Sequence, residues 1–196
     1  MSGTRAFVAI ELPAGVKGEL SRLQTLLRQA TTCPAKWVSP EGIHLTLCFL
    51  GEISPSQLEA VKGVMAEACR EISSFSLETA NAGAFPSLNQ PQTVWIGLKG
   101  DLDILSSLYK RLEDGLRATG YKPEGRPFKP HLTLARVRDE ATPADRRNLG
   151  EAIINAAVGV PSRFEVTEVS LMKSELRPSG AVYTCLYSTE LSGRKP

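Results

Sequence analysis

His44-Leu45-Thr46-Leu47 and His131-Leu132-Thr133-Leu134 are the same four residues, 87 positions apart, and they contain the only two histidines of the chain. On a β-strand, side chains alternate between faces. His44 and Thr46 therefore share one face, with Leu45 and Leu47 on the other, and His131 and Thr133 stand in the same way against Leu132 and Leu134. The leucines can anchor each strand in a core while the His–Thr face lines a cleft, its two side chains about 7 Å apart along the strand. A single histidine ahead of a buried strand is ordinarily a packing residue. Two of them, each followed by the same tripeptide, point to one site built from two similar halves.

The repeat extends outward. Each motif is followed by a proline-started helix, with Ser54 before Pro55 and Thr142 before Pro143 as N-caps. Apolar residues at helical spacing predict helices over residues 18–30 (Leu20, Leu23, Leu26, Leu27), 55–71 (Leu58, Val61, Met65, Cys69), 102–119 (Leu105, Leu108, Leu112, Leu116, stopped by Gly120) and 143–158. Strands are predicted over 5–12, 36–38, 43–50 (stopped by Gly51), 75–80, 93–98 and 131–137, with a last pair, 163–173 and 181–191, around residues 177–180. The expected class is α+β. Two lobes would form one domain over residues 1–191, with a flexible tail over 192–196.

The bulk numbers agree with a globular chain: 196 residues, 42% hydrophobic and 22% charged. A formal charge of +2 is too weak for a protein that grips a long duplex, but it permits a local patch for a few phosphates. The four cysteines, Cys33, Cys48, Cys69 and Cys185, form no CxxC pair, so neither a disulfide framework nor a zinc site is visible, and Cys48 and Cys69 read as small buried hydrophobes. The apolar start at residues 6–10 is cut short by Glu11, and no run approaches a membrane span. A cytoplasmic monomer is expected.

Two histidines and two threonines suit phosphoryl chemistry. One neutral imidazole can take a proton from an attacking group while an imidazolium gives one to the leaving oxygen. Threonine hydroxyls can donate to non-bridging phosphate oxygens. Two histidines on separate strands supply only two metal ligands, where catalytic zinc ordinarily takes three, so neither metal nor cofactor is expected.

The paired His-x-Thr-Leu motifs resemble those of the 2H phosphoesterase superfamily, and most closely its RNA 2′,3′-cyclic phosphodiesterases, historically also called 2′-5′ RNA ligases (LigT-like). The likeness includes residues 5–10, Trp37-Val38, residues 44–51, Val94-Trp95-Ile96-Gly97, residues 128–136, Ser174-Glu175-Leu176 and Gly180-Ala181-Val182-Tyr183. The resemblance implies a pseudo-twofold fold of antiparallel sheets flanked by helices around a central cleft. It implies metal-independent hydrolysis of a terminal 2′,3′-cyclic phosphate on RNA to a 2′-phosphomonoester, with 2′-5′ joining as the reverse reaction. It also implies that His44 protonates the leaving 3′ oxygen and His131 activates water; the symmetry of the motifs alone does not choose between these roles. Other readings of the same residues are a phosphodiesterase for small cyclic nucleotides or 2′-5′ linkages, and a protein that binds RNA ends without turnover.

The resemblance further places Arg136 at the phosphate. Strict alternation puts Arg136 on the face opposite His131, so either a bulge or a strand end intervenes, or Arg136 is a surface ion-pair residue. Lys36, Lys122, Arg126, Lys129, Arg138 and Lys173 could guide an RNA strand. Trp37, Phe49, Phe128 and Tyr183 could stack a terminal base, with Phe128, beside His131, as the best placed and Phe49 read as ordinary core.

Overall fold

The computed structural model describes residues 3–122, 127–156, 161–177 and 180–193. In chain order the elements are β1 (Thr4–Glu11), α1 (Ala14–Ala30), β2 (Ala35–Trp37), a one-turn 3-10 helix (Pro40–Gly42), β3 (His44–Ile53), α2 (Pro55–Arg70), β4 (Phe75–Phe85), β5 (Thr93–Gly100), α3 (Leu102–Ala118), β6 (His131–Val137), α4 (Pro143–Asn155), β7 (Arg163–Val166), β8 (Glu168–Arg177) and β9 (Gly180–Glu190). Arg126, the end of the predicted fourth helix at 157–158 and residues 194–196 of the expected tail lie outside the described residues. Ser192 and Gly193 donate their backbone N–H groups to the carbonyls of Cys69 and Ile72, at the end of α2.

The nine strands form one antiparallel sheet in the order β7-β4-β5-β6-β3-β1-β8-β9, with β2 also paired to β6. Two half-sheets meet where β3 touches β6, and each mixes early and late strands of the chain. β5 pairs with β6 and β4 with β7 in one, and β8 pairs with β1 and carries β9 in the other. The leucines behave as the alternation predicts. Leu45, Leu47, Leu132 and Leu134 are buried in one core with Leu20, Leu23 and Leu27 of α1, Val61 and Met65 of α2, Leu105, Leu108, Leu112 and Leu116 of α3, and Leu149 and Ile153 of α4. All four helices therefore cover the leucine face. Truncating any one of these leucines would cost about 2–5 kcal/mol. Among the described residues the buried cluster on the opposite face is small: Phe7, Ala9 and Met172, with Tyr183 against it.

The helices that follow the two motifs start alike. Ser54 and Gln57 form a reciprocal capping box on α2, Thr142 and Asp145 form another on α4, and a proline occupies the first turn of each.

Two expectations are corrected. Gly51 does not end β3: it takes φ +70° inside the strand, where the register to β1 shifts and the pairing continues to Ile53. Residues 163–173 are not one strand. The chain breaks at Thr167, so β7 lies on β4 at one edge of the sheet while β8 lies on β1 in the other half. The last strand pair is β8 with β9.

Candidate active site

β3 and β6 are bridged at one antiparallel pair, Leu45 opposite Leu132. That register places His44 opposite Thr133 and Thr46 opposite His131, all four on the face away from the helices. The two histidines are diagonal neighbours across the junction of the half-sheets, an arrangement that in a regular pair separates the residues by about 7–8 Å and their Cβ atoms by somewhat less.

Both rings are fixed in the same way. Nδ1–H of His44 donates to the carbonyl of Gly42 at 2.8 Å, and Nδ1–H of His131 donates to that of Lys129 at 2.6 Å. A carbonyl can only accept, so Nδ1 carries a proton in each ring and Nε2 is the nitrogen left for chemistry. Their surroundings differ. Phe7 stacks on His44 at 4.6 Å between centroids, and Tyr183 meets it edge-on at 5.1 Å. Burial holds His44 below the ordinary histidine pKa, against the opposing pull of the Gly42 carbonyl and Glu11. Beside His131 stands Phe85, perpendicular to it at 5.1 Å between centroids. Phe85 leans on Trp95, whose indole occupies the space that a Cβ at Gly83 would need.

Past each motif the strand carries one extra residue. Ala9 pairs with Thr46 but Val8 with Cys48, and Trp95 pairs with Thr133 but Val94 with Ala135. Two successive residues, Leu47-Cys48 and Leu134-Ala135, are consequently buried on the helix side. Alternation restarts one position late, so Phe49 and Arg136 return to the His–Thr face. The bulge needed for Arg136 to join the histidines is present. Phe49 is corrected: it is 49% exposed on the cleft face, beside Phe7, and not core.

The second bulge is clipped from behind. Gln24 of α1, 2% exposed, donates from Nε2 to the carbonyl of Leu134 at 2.9 Å and to that of Val38 at 2.8 Å. On α3, Tyr109 donates its hydroxyl to Glu113 in its own helix. Tyr109 also stacks face to face on Phe128 at 4.2 Å, so one ring face of Phe128 is already covered. Trp37 packs against the core beneath Arg28.

Sequence reading missed Phe7 and Phe85 as walls of the site and offered Tyr183 only as a possible base-stacking residue. The signal for Phe7 was present. In β1 both Ala6/Val8/Ile10 and Phe7/Ala9 are apolar, so each face of that strand must be covered. Among the described residues no three His, Cys, Asp or Glu side chains gather as metal ligands, and no helix is long and apolar enough to cross a membrane. Cys33, Cys48 and Cys69 are buried and Cys185 is exposed, all unpaired.

The LigT like phosphoesterase family matches the chain over residues 10–95 and 97–183, one stretch holding His44 and the other His131. The RNA 2′,3′-cyclic phosphodiesterase of Methanothermobacter thermautotrophicus is 35% identical over 183 residues, 92% of this chain and 95% of that protein. The protein of the same name from Thermotoga maritima is 30% identical over 96% of both chains. Among solved structures, TT0787 of Thermus thermophilus superposes with a TM-score of 0.78 at 28% identity, covering 97% of this chain and 100% of that one. E. coli LigT complexed with 3′-AMP superposes with a TM-score of 0.76 at 25% identity, covering 97% and 99%. With both motifs on one face and the family matched through both halves, the chain belongs to the LigT-like phosphoesterases.

Proposed function

We propose that this chain is an RNA 2′,3′-cyclic phosphodiesterase whose two lobes act as one domain on a single cyclic phosphate, without a metal. The observation that supports the reading is the Leu45–Leu132 register, by which His44, Thr46, His131 and Thr133 are neighbours on one face of the sheet. Water attacks phosphorus in line with the P–O3′ bond. His131 Nε2 takes the water proton as the new P–O bond forms, and His44 Nε2 gives its proton to O3′ as the P–O3′ bond breaks. The product carries a 2′-phosphate and a free 3′-hydroxyl. The two rings end with the proton exchanged between them, and solvent resets them.

The hydroxyls of Thr46 and Thr133 donate to the non-bridging oxygens, and Arg136 adds positive charge at the edge of the site. Burial of His44 fits the donor role. A ring of lowered basicity is a strong acid once protonated, and the bound phosphate anion favours that protonation. Phe49, with its exposed face, offers a better stacking surface for the terminal base than half-covered Phe128.

The test is a short RNA ending in a 2′,3′-cyclic phosphate, incubated with the protein in excess EDTA, with the product phosphate mapped. The expected product is the 2′-monophosphate. No turnover until zinc is restored would contradict the reading.

A further inference from the structure

We propose that Lys36 and Arg136 form a second anion subsite, which takes the phosphodiester preceding the terminal nucleotide and so makes RNA ends, not free cyclic nucleotides, the favoured substrate. The subsite presupposes that a cyclic phosphate reacts between His44 and His131.

Lys36 stands directly opposite Arg136 in the β2–β6 ladder. Its neighbours Ala35 and Trp37 pack against the core, so Lys36 faces away from the helices, on the side to which the bulge returns Arg136. Both are exposed. Like charges directly opposite on a sheet repel. Two other cations noted near the motifs have partners: Arg138 pairs with Glu140 at 3.8 Å and Lys173 with Glu175 at 3.1 Å. Neither Lys36 nor Arg136 enters an ion pair or side-chain hydrogen bond among the described residues.

The backbone beneath them is held firmly all the same. The Leu134 carbonyl accepts from the N–H of Val38 at 2.9 Å and from buried Gln24, which also holds the Val38 carbonyl. β2 is thereby fastened to β6 just where two uncompensated cations are brought side by side. From Thr133 to Arg136 the strand advances about 7–10 Å, comparable with the step between neighbouring phosphates on one polynucleotide strand. An anion there would relieve the repulsion, and a polynucleotide whose end lies between the histidines supplies one. A cyclic mononucleotide does not.

The experiment compares Lys36→Gln with wild type on two substrates, a 2′,3′-cyclic mononucleotide and a dinucleotide ending in a 2′,3′-cyclic phosphate. The ratio of kcat/KM, dinucleotide over mononucleotide, should fall about five- to tenfold. The salt dependence of the dinucleotide reaction should flatten by about 0.7 in log–log slope, one phosphate contact on a single strand. The melting temperature should stay or rise, because a repulsion is removed. An unmoved ratio, or a fall in melting temperature with equal losses on both substrates, overturns the subsite and leaves the two-histidine reading intact. Wild type that hydrolyses neither substrate overturns that reading, and the subsite with it.

Discussion

The β3 and β6 motifs are one backbone solution used twice, with opposite surroundings. Each carries His-x-Thr on the open face, a carbonyl two residues back that fixes Nδ1, and a bulge past the threonine. The residue delivered by the first bulge is Phe49 and by the second Arg136. His44 lies against Phe7 and Tyr183, whereas the one ring contact of His131 among the described residues is with Phe85. The repeat sets where the reactive atoms stand. The flanking strands set what each does, by controlling desolvation and by offering either an aromatic face or a positive charge.

The largest effect is expected from removing each ring. His44→Ala and His131→Ala should each lower kcat on a cyclic-phosphate RNA by about a hundredfold or more. The double variant should fall little further, since the pair acts as a unit. Simply additive losses would mean that the rings do not share a phosphate. A smaller contrast is expected one step outward. Arg136→Ala should cost about 10- to 100-fold in kcat/KM, the scale of a charge-assisted hydrogen bond. Phe49→Ala should cost about fivefold to tenfold, felt mainly in KM as lost stacking. Equal losses from both, or none from Arg136→Ala, would erase the distinction between a cationic and an aromatic end.

Much of this was legible in the sequence because it is local. Two-residue alternation placed the leucines and the His–Thr face, and the capping residues and prolines marked the starts of α2 and α4. The bulges left a trace as well, in the consecutive apolar pairs Leu47-Cys48 and Leu134-Ala135, which alternation alone cannot bury on one face. What stayed hidden is non-local. Residues 163–173 carry a phase change at Thr167-Glu168, from Phe164/Val166 to Val169/Leu171, which marks a break, but nothing within them says that the two pieces belong to different half-sheets. Phe7, Phe85 and Tyr183 become walls of the site only through strand order. Phe49 looked like core because an apolar residue in an apolar run carries no mark of the face to which a bulge returns it.

A chain with only two histidines permits one direct test of the claim that both rings face one phosphate. The measurement is a pH titration of 15N-histidine NMR signals, with and without a nucleoside 2′-phosphate. In the free protein His44 should titrate below the ordinary histidine value. With the nucleotide bound, the ring 15N signals of both histidines should shift together at fixed pH, as a shared anion demands. A nucleotide that binds and shifts one ring while leaving the other untouched would contradict the account.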